Sequence, residues 1–291
     1  MYVTKVQSEG HPIVRILSSC IFLYFRGMKR RILPALLIIL ASCNSNPAPK
    51  SAETEGAYPV SIQELLKKAN AAPEDVQRRQ ELINSLDTAG LYRDALAQLD
   101  LLIAKDSLNH EYWFQKARFT EQLKDTTAAI RYYTYSTRLY PAPPAMLSLA
   151  NLLAEKKDTA AITVCSNINT LFPGKEYAAD IFFIRGIYHA RKGYTSRAMA
   201  QFDSCIYRNY RYLEAYMEKG FLLSDQQQIR PAMTIFATVL KLDPLYTDAY
   251  YWMGKSFEQL GIRDTAVENY RKALSLDPEL SEAISAINRL K

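Results

Sequence analysis

Apolar and small residues along this chain recur on a 34-residue step. Ala198, Ala232 and Ala266 lie in register, and Gly186, Gly220, Gly254 and Phe202, Phe236, Tyr270 echo the same spacing. A fixed period of this length predicts stacked copies of one small helical unit, none able to bury its apolar face alone. The clearest copy runs from Thr247 to Leu280 and shows why. Gly254, Ala266 and Ala273 are small there, and two antiparallel helices can approach to about 8 Å only where neither carries a bulky side chain. Tyr250, Phe257 and Tyr270 fill the space beside that contact. Gly261 ends the first helix, where a left-handed residue is wanted, and Pro278 closes the second, because its ring and missing N–H stop continuation.

Counting back along the chain gives Leu213 to Tyr246 and Ala179 to Tyr212 as strict copies. Looser ones follow at about Pro143 to Gly174, His110 to Ala142 and Val76 to Asn109, which makes six units. A helix over Ser61 to Ala69 reads as a partial seventh, since Pro73, Ser107 and Pro141 again stand 34 apart. At the other end, Leu280, Ala283, Ile284, Ile287 and Leu290 fall on one face at helical spacing and predict a capping helix over the last copy. The step departs from 34 around the fourth unit: Ala129 to Ala161 is 32 and Ala161 to Ala198 is 37, with Pro141, Pro143, Pro144, Pro173 and Gly174 close by. Either a change of superhelical pitch or two adjusted loops satisfies that pattern.

The copy at Thr247 to Leu280 resembles the tetratricopeptide repeat, through Tyr250, Met253-Gly254, Phe257, Gly261, Ala266, Tyr270, Ala273 and Pro278. Met253 is the one soft substitution. The resemblance implies an all-α fold, a right-handed α-α superhelix of about six helix-turn-helix repeats with a C-terminal capping helix over residues 61–291. It also implies that first helices line a concave groove through the second, fifth, ninth, twelfth and thirteenth positions of each repeat. The fifth and ninth positions are Gln80 and Asn84, Phe114 and Arg118, Leu147 and Asn151, Phe183 and Ile187, Met217 and Phe221, Tyr251 and Lys255. Phe183, Ile187, Met217, Phe221 and Tyr251 are thereby expected to form a stripe that holds a peptide or helix, because exposed aromatic anchors carry interface energy. Packing against the neighbouring repeat is the alternative use of the same residues. Second positions add Glu111, Asp180, Glu214 and Asp248, an acidic rim interrupted by Arg118, Arg191 and Lys255. The Lys and Asn set with which chaperone-binding members of the family clamp a C-terminal carboxylate is not found in this row.

The N-terminus has a different character. Met28 to Cys43 reads as a basic start, a short apolar run and small residues before a cysteine, the layout of a secretory signal. Leu40-Ala41-Ser42-Cys43 resembles the bacterial lipobox, which implies lipidation of Cys43. Leu17-Ser18-Ser19-Cys20 fits the short pattern too, but His11, Pro12 and Arg15 break the apolar run before it. Met28 is then the expected start, with residues 1–27 an upstream extension of the frame or an extended leader. Residues 43–60 follow as a lipidated cysteine and a Pro-containing polar tether. Asn44, where an Asp tends to retain lipoproteins in the inner membrane, is similar to the outer-membrane type and suggests an anchor facing the periplasm.

That leader changes the reading of charge. The chain carries +6, but residues 1–42 hold six of its 36 Lys and Arg and only one of its 30 acids, leaving about +1 beyond them. Nucleic-acid binding thus loses its main support.

Chemistry is sparse. No two of the ten glycines lie two apart, so no Gly-rich phosphate loop is expected. His110-Glu111 begins like a zinc-protease helix, but position 114 is Phe. His189 replaces an aromatic of other copies, and Cys165 and Cys205 replace small or apolar residues, so all three read as packing. No catalytic residue, metal, cofactor or small-molecule substrate is expected. The expected function is a membrane-anchored scaffold in the bacterial cell envelope that binds a protein or peptide, similar to repeat lipoproteins that assist barrel or secretin assembly. A self-assembling structural component of the envelope is the alternative.

Overall fold

The computed structural model describes residues 58–291. The leader, Cys43 and most of the tether lie outside the described residues. Those residues hold 14 helices and no strand. In chain order they are α1 (Val60–Ala71), α2 (Val76–Thr88), α3 (Tyr92–Lys105), α4 (His110–Gln122), α5 (Thr126–Leu139), α6 (Pro143–Glu155) and α7 (Ala160–Leu171). There follow α8 (Ala178–Arg191), α9 (Thr195–Arg208), α10 (Leu213–Asp225), α11 (Ile229–Leu242), α12 (Thr247–Gln259), α13 (Arg263–Leu276) and α14 (Ser281–Leu290). They form two compact units, one ending at Ser85 and one spanning Leu86–Lys291.

In the first unit α1 is the helix expected over Ser61 to Ala69. It buries Ile62 and Ala69, and the guanidinium of Arg79 donates to the Ala69 carbonyl at 3.3 Å, satisfying one of the last carbonyls of that helix. Leu82 and Ile83 of α2 are fully covered.

The second unit is an all-α solenoid in which each helix packs on its neighbours in sequence. The expected close approach within a repeat is present. A Cβ built on Gly186 would stand 2.4 Å from the Phe202 ring, one on Gly220 2.2 Å from Phe236, and one on Gly254 2.8 Å from Tyr270. The glycine thus makes the hole that the aromatic residue of the second helix fills. Ala198, Ala232 and Ala266 are fully buried on the same seam.

The first-helix ends repeat with equal regularity. Gly90, Lys124, Lys157, Gly193, Gln227 and Gly261 all have φ between 61° and 79°. The N–H after each reaches back five residues, from Leu91 to Leu86, Asp125 to Thr120, Asp158 to Leu153, Tyr194 to His189, Gln228 to Leu223 and Ile262 to Phe257. This is the Schellman arrangement, which closes the last free carbonyls of a helix. Second helices end differently: Asp106, Asn209, Asp243 and Asp277 are extended and offer a side-chain oxygen to the N–H two residues on, an Asx turn that leads the chain into the next first helix. Across repeats, Lys116 pairs with Asp100 and Lys219 with Asp203, both sixteen residues apart and both joining a second helix to the following first one.

The irregular fourth unit is α6 and α7. Pro143 opens α6 at a position where its missing N–H costs nothing. The departures from the 34-residue step fall partly in connections, short over residues 140–142 and long over 156–159 and 172–177. They fall partly in the helices too, since α7 is shorter than the second helices of the other five units and α8 longer than their first helices.

The C-terminal helix α14 covers the last repeat as expected, burying Ala283 and Ala286 with Leu280, Ile287 and Leu290 packed alongside. Ile284 is corrected: it is 42 % exposed, because the face turned to α13 runs through 283, 286, 287 and 290. No helix among the described residues is long and apolar enough to cross a membrane.

Candidate interaction surface

The predicted groove residues divide into two groups. Phe183, Ile187 and Met217 are 1 %, 0 % and 3 % exposed, so the expectation that they present an open stripe is corrected. The reason is local. The Phe183 ring lies 5.0 Å from that of Tyr212 and 5.9 Å from that of Phe202, so the second helix and the next connection enclose it. Met217 joins Phe236, Val239 and Ala249 in the core between repeats.

Phe114, Arg118, Phe221, Tyr251 and Lys255 stay half-buried. Phe114 leans on Tyr133 and Tyr251 on Tyr270, each a fifth-position ring against the aromatic of its own second helix. Phe221 stands 4.6 Å from Trp252, which in turn meets the Tyr251 ring edge-on at 6.0 Å. The Lys255 ammonium lies 4.0 Å above the Trp252 ring. Two adjacent first helices, α10 and α12, thus assemble an aromatic group with a cation on it. The row expected from sequence omits Trp252, since it occupies a sixth position; its indole N–H is buried without a hydrogen-bond partner. Arg118 reaches Asp87 at 3.4 Å.

Charges on this side are organised by burial. Arg191 holds Glu155 and Glu218 at once, two bonds to each of 2.8–3.0 Å, tying α6, α8 and α10 together. Burial works against the Glu218 carboxylate and Arg191 works for it. Such a triad is costly to break at one member, because a buried charge is then left alone. Among the second-position acids, Asp180 accepts the Tyr212 hydroxyl at 3.1 Å. Glu214 is 5 % exposed, and burial pushes its carboxyl up. Asp248 is pushed up to about 6, by burial first and then by the charges of Asp277 and Glu282.

Cys165 and Cys205 are free and fully buried, and burial pushes the Cys165 thiol up to about 12, which makes them packing residues and not nucleophiles. His189 packs beside Tyr188 and Tyr194, and burial lowers its imidazole below the usual value. Among the described residues no group of three or more His, Cys, Asp or Glu is placed to hold a metal ion.

Comparison with known proteins agrees with this geometry. Two tetratricopeptide repeat models match, one over residues 247–280 and one over residues 81–144. A crystal structure of a tetratricopeptide repeat protein from Parabacteroides merdae is similar with a TM-score of 0.68 at 15 % identity, covering 79 % of this chain and 91 % of that one. PilW, a widely conserved type IV pilus biogenesis factor, is similar with a TM-score of 0.59 at 16 % identity, over 72 % of this chain and 96 % of that one. A thermophilic repeat protein of Thermus thermophilus gives 0.53 at 15 %, over 62 % and 98 %. No protein of curated function matches the chain. The likenesses establish the solenoid of tetratricopeptide repeats, an architecture built to present surfaces to protein or peptide partners.

Proposed function

We propose that this tetratricopeptide repeat protein is a lipid-anchored adaptor of the bacterial cell envelope that holds a partner polypeptide against the half-buried row Phe114, Arg118, Phe221, Tyr251 and Lys255. One observation carries the reading: Phe221, Trp252 and Tyr251, from two adjacent first helices, bring three rings together with the Lys255 ammonium on the indole, and the group is only partly covered. Rigid aromatic residues beside a cation, in a partly desolvated site, are the kind of residue on which interface energy concentrates. The protein carries no reaction of its own; it positions others. The anchor is the Cys43 side chain at the end of Leu40-Ala41-Ser42-Cys43, and the residues after it tether the solenoid to the membrane, on the periplasmic side of the outer membrane.

Affinity capture from detergent-solubilised envelopes tests the surface. Partner recovery should fall at least tenfold with Phe221→Ala/Tyr251→Ala, while the thermal melt shows the solenoid still folded. Undiminished recovery would refute the assignment. Fractionation of Cys43→Ser tests the anchor: the variant should stay unprocessed or leave the membrane fraction, and unchanged membrane association of a processed chain would refute it.

A further inference from the structure

The acids at second positions form a ladder whose parts are more closely related than their spacing alone implied. Asp180, Glu214, Asp248 and Glu282 stand 34 residues apart and lie in the first turns of α8, α10, α12 and α14. Pro144 occupies the equivalent place in α6, so the run is unbroken only in the C-terminal half of the solenoid. A helix dipole favours an acid in each first turn. It does not explain why Glu214 is 5 % exposed with its Oε2 buried and without a hydrogen-bond partner. A carboxylate oxygen held so is unfavourable unless a cation or donor comes to it.

The structure also engages the cations carried by these helices, three of them on carboxylates outside the ladder. The four helices carry Arg185, Arg191, Lys219, Lys255 and Arg289. Arg185 donates to the Ser166 hydroxyl, Arg191 holds Glu155 and Glu218, Lys219 pairs with Asp203, Lys255 lies over Trp252 and Arg289 grips Glu258. The charges felt by Glu214 and Asp248 are of one sign: Asp180 acts on Glu214, and Asp277 and Glu282 act on Asp248. Asp180, Asp248 and Glu282 are half-buried and not closed off, so an incoming side chain can reach them.

We infer that the ladder Asp180, Glu214, Asp248 and Glu282 is a subsite that selects a partner segment bearing Lys or Arg side chains. The inference rests on the adaptor reading and gives that partner its chemistry. An ammonium or guanidinium group seated on Asp180 places positive charge near Glu214, which the charge of Asp180 already reaches. Groups on Asp248 and Glu282 continue the contact along the ladder, in a partly desolvated site where charge-assisted hydrogen bonds are strong. The aromatic group of α10 and α12 would hold apolar parts of the same segment.

The test uses the full-length protein in detergent and two fluorescent twelve-residue peptides, one alternating Lys and Ala, the other Glu and Ala. The Lys peptide should bind, with affinity falling steeply as salt rises, and the Glu peptide should not. Asp180→Asn/Asp248→Asn should weaken the Lys peptide at least tenfold. Both replacements keep an acceptor oxygen, so the Tyr212 bond to position 180 survives. Asp264→Asn/Glu268→Gln, which removes the same charge from exposed positions of α13, should leave the affinity within twofold. No binding of the Lys peptide to the native protein, or equal weakening by both double variants, overturns the ladder. Full binding by Asp180→Asn/Asp248→Asn overturns it as well. If the envelope partner is still lost with Phe221→Ala/Tyr251→Ala in any of these cases, the adaptor reading stands without the acidic subsite.

Discussion

The Tyr270 hydroxyl donates to Glu258 Oε2 at 2.7 Å, across the two helices of one repeat. Tyr133 does the same to Glu121 at 2.8 Å, with the same separation of twelve residues. In the repeats whose ring is Phe202 or Phe236, the place of the acid is taken by Ala190 or Ser224. Ring and partner thus change together, because a tyrosine hydroxyl buried on the seam needs an acceptor and a phenylalanine does not.

From that relationship, Tyr133→Phe should destabilise the fold by about 1–3 kcal/mol, since it leaves Glu121, which burial already pushes toward its neutral form, without its donor. Adding Glu121→Ala to Tyr133→Phe recreates the pair found at Phe202 and should recover part of the loss. Urea denaturation of the four members of the cycle measures a coupling of about 1–2 kcal/mol. Additive effects would show that the two groups do not depend on each other.

The glycine seam sets a steric limit. Gly220→Ala puts a methyl group 2.2 Å from the Phe236 ring and forces the two helices apart, at a cost of about 1–3 kcal/mol. Phe236→Leu in the same chain should return part of that stability by making room. A melting temperature unchanged by Gly220→Ala would contradict the packing.

Three first helices end on a residue poorly suited to its conformation. Lys124, Lys157 and Gln227 have φ of 65°, 61° and 61°, where Gly90, Gly193 and Gly261 stand in the other repeats. Replacing any of the three with Gly should stabilise by about 1 kcal/mol, because a side chain in the left-handed region costs about that much. Gly261→Ala should destabilise by a similar amount. Equilibrium unfolding of the single variants decides the sign.

Asp248 gives a pH dependence. Its carboxyl is pushed up to about 6 in the fold, so between about pH 4 and pH 6 the folded state binds more proton than the unfolded one. The stability this group contributes is therefore present below about pH 4 and lost as pH rises through 6. Asp248→Asn should raise stability at pH 7 by about 1–2 kcal/mol, allowing for partial exposure, and leave it unchanged at about pH 3.5. A gain at both pH values would mean that titration of Asp248 is not the cause.

The repeats were legible because the period writes the same constraint many times: Gly254 against Tyr270, and Gly261 at a positive φ, follow from residue size and backbone freedom alone. The surface was less legible. A fifth-position ring such as Phe183 and one such as Phe114 look alike in sequence, yet Tyr212 closes over the first, while the second stays half-exposed. For Phe183 the covering residue sits on the next connection, which the single-repeat pattern does not weigh. Likewise Arg191 reads in sequence as an interruption of the acidic rim, and the triad with Glu155 and Glu218 joins helices too distant in sequence for spacing to reveal.

Photo-crosslinking in native membranes tests the central claim, that this solenoid holds a partner on the row of α10 and α12. A crosslinking amino acid at position 221 should give a discrete adduct that disappears when Tyr251→Ala is added. The same probe at Tyr207, 85 % exposed on α9, should give none. No adduct at 221, or the same adduct from both positions, would contradict the account.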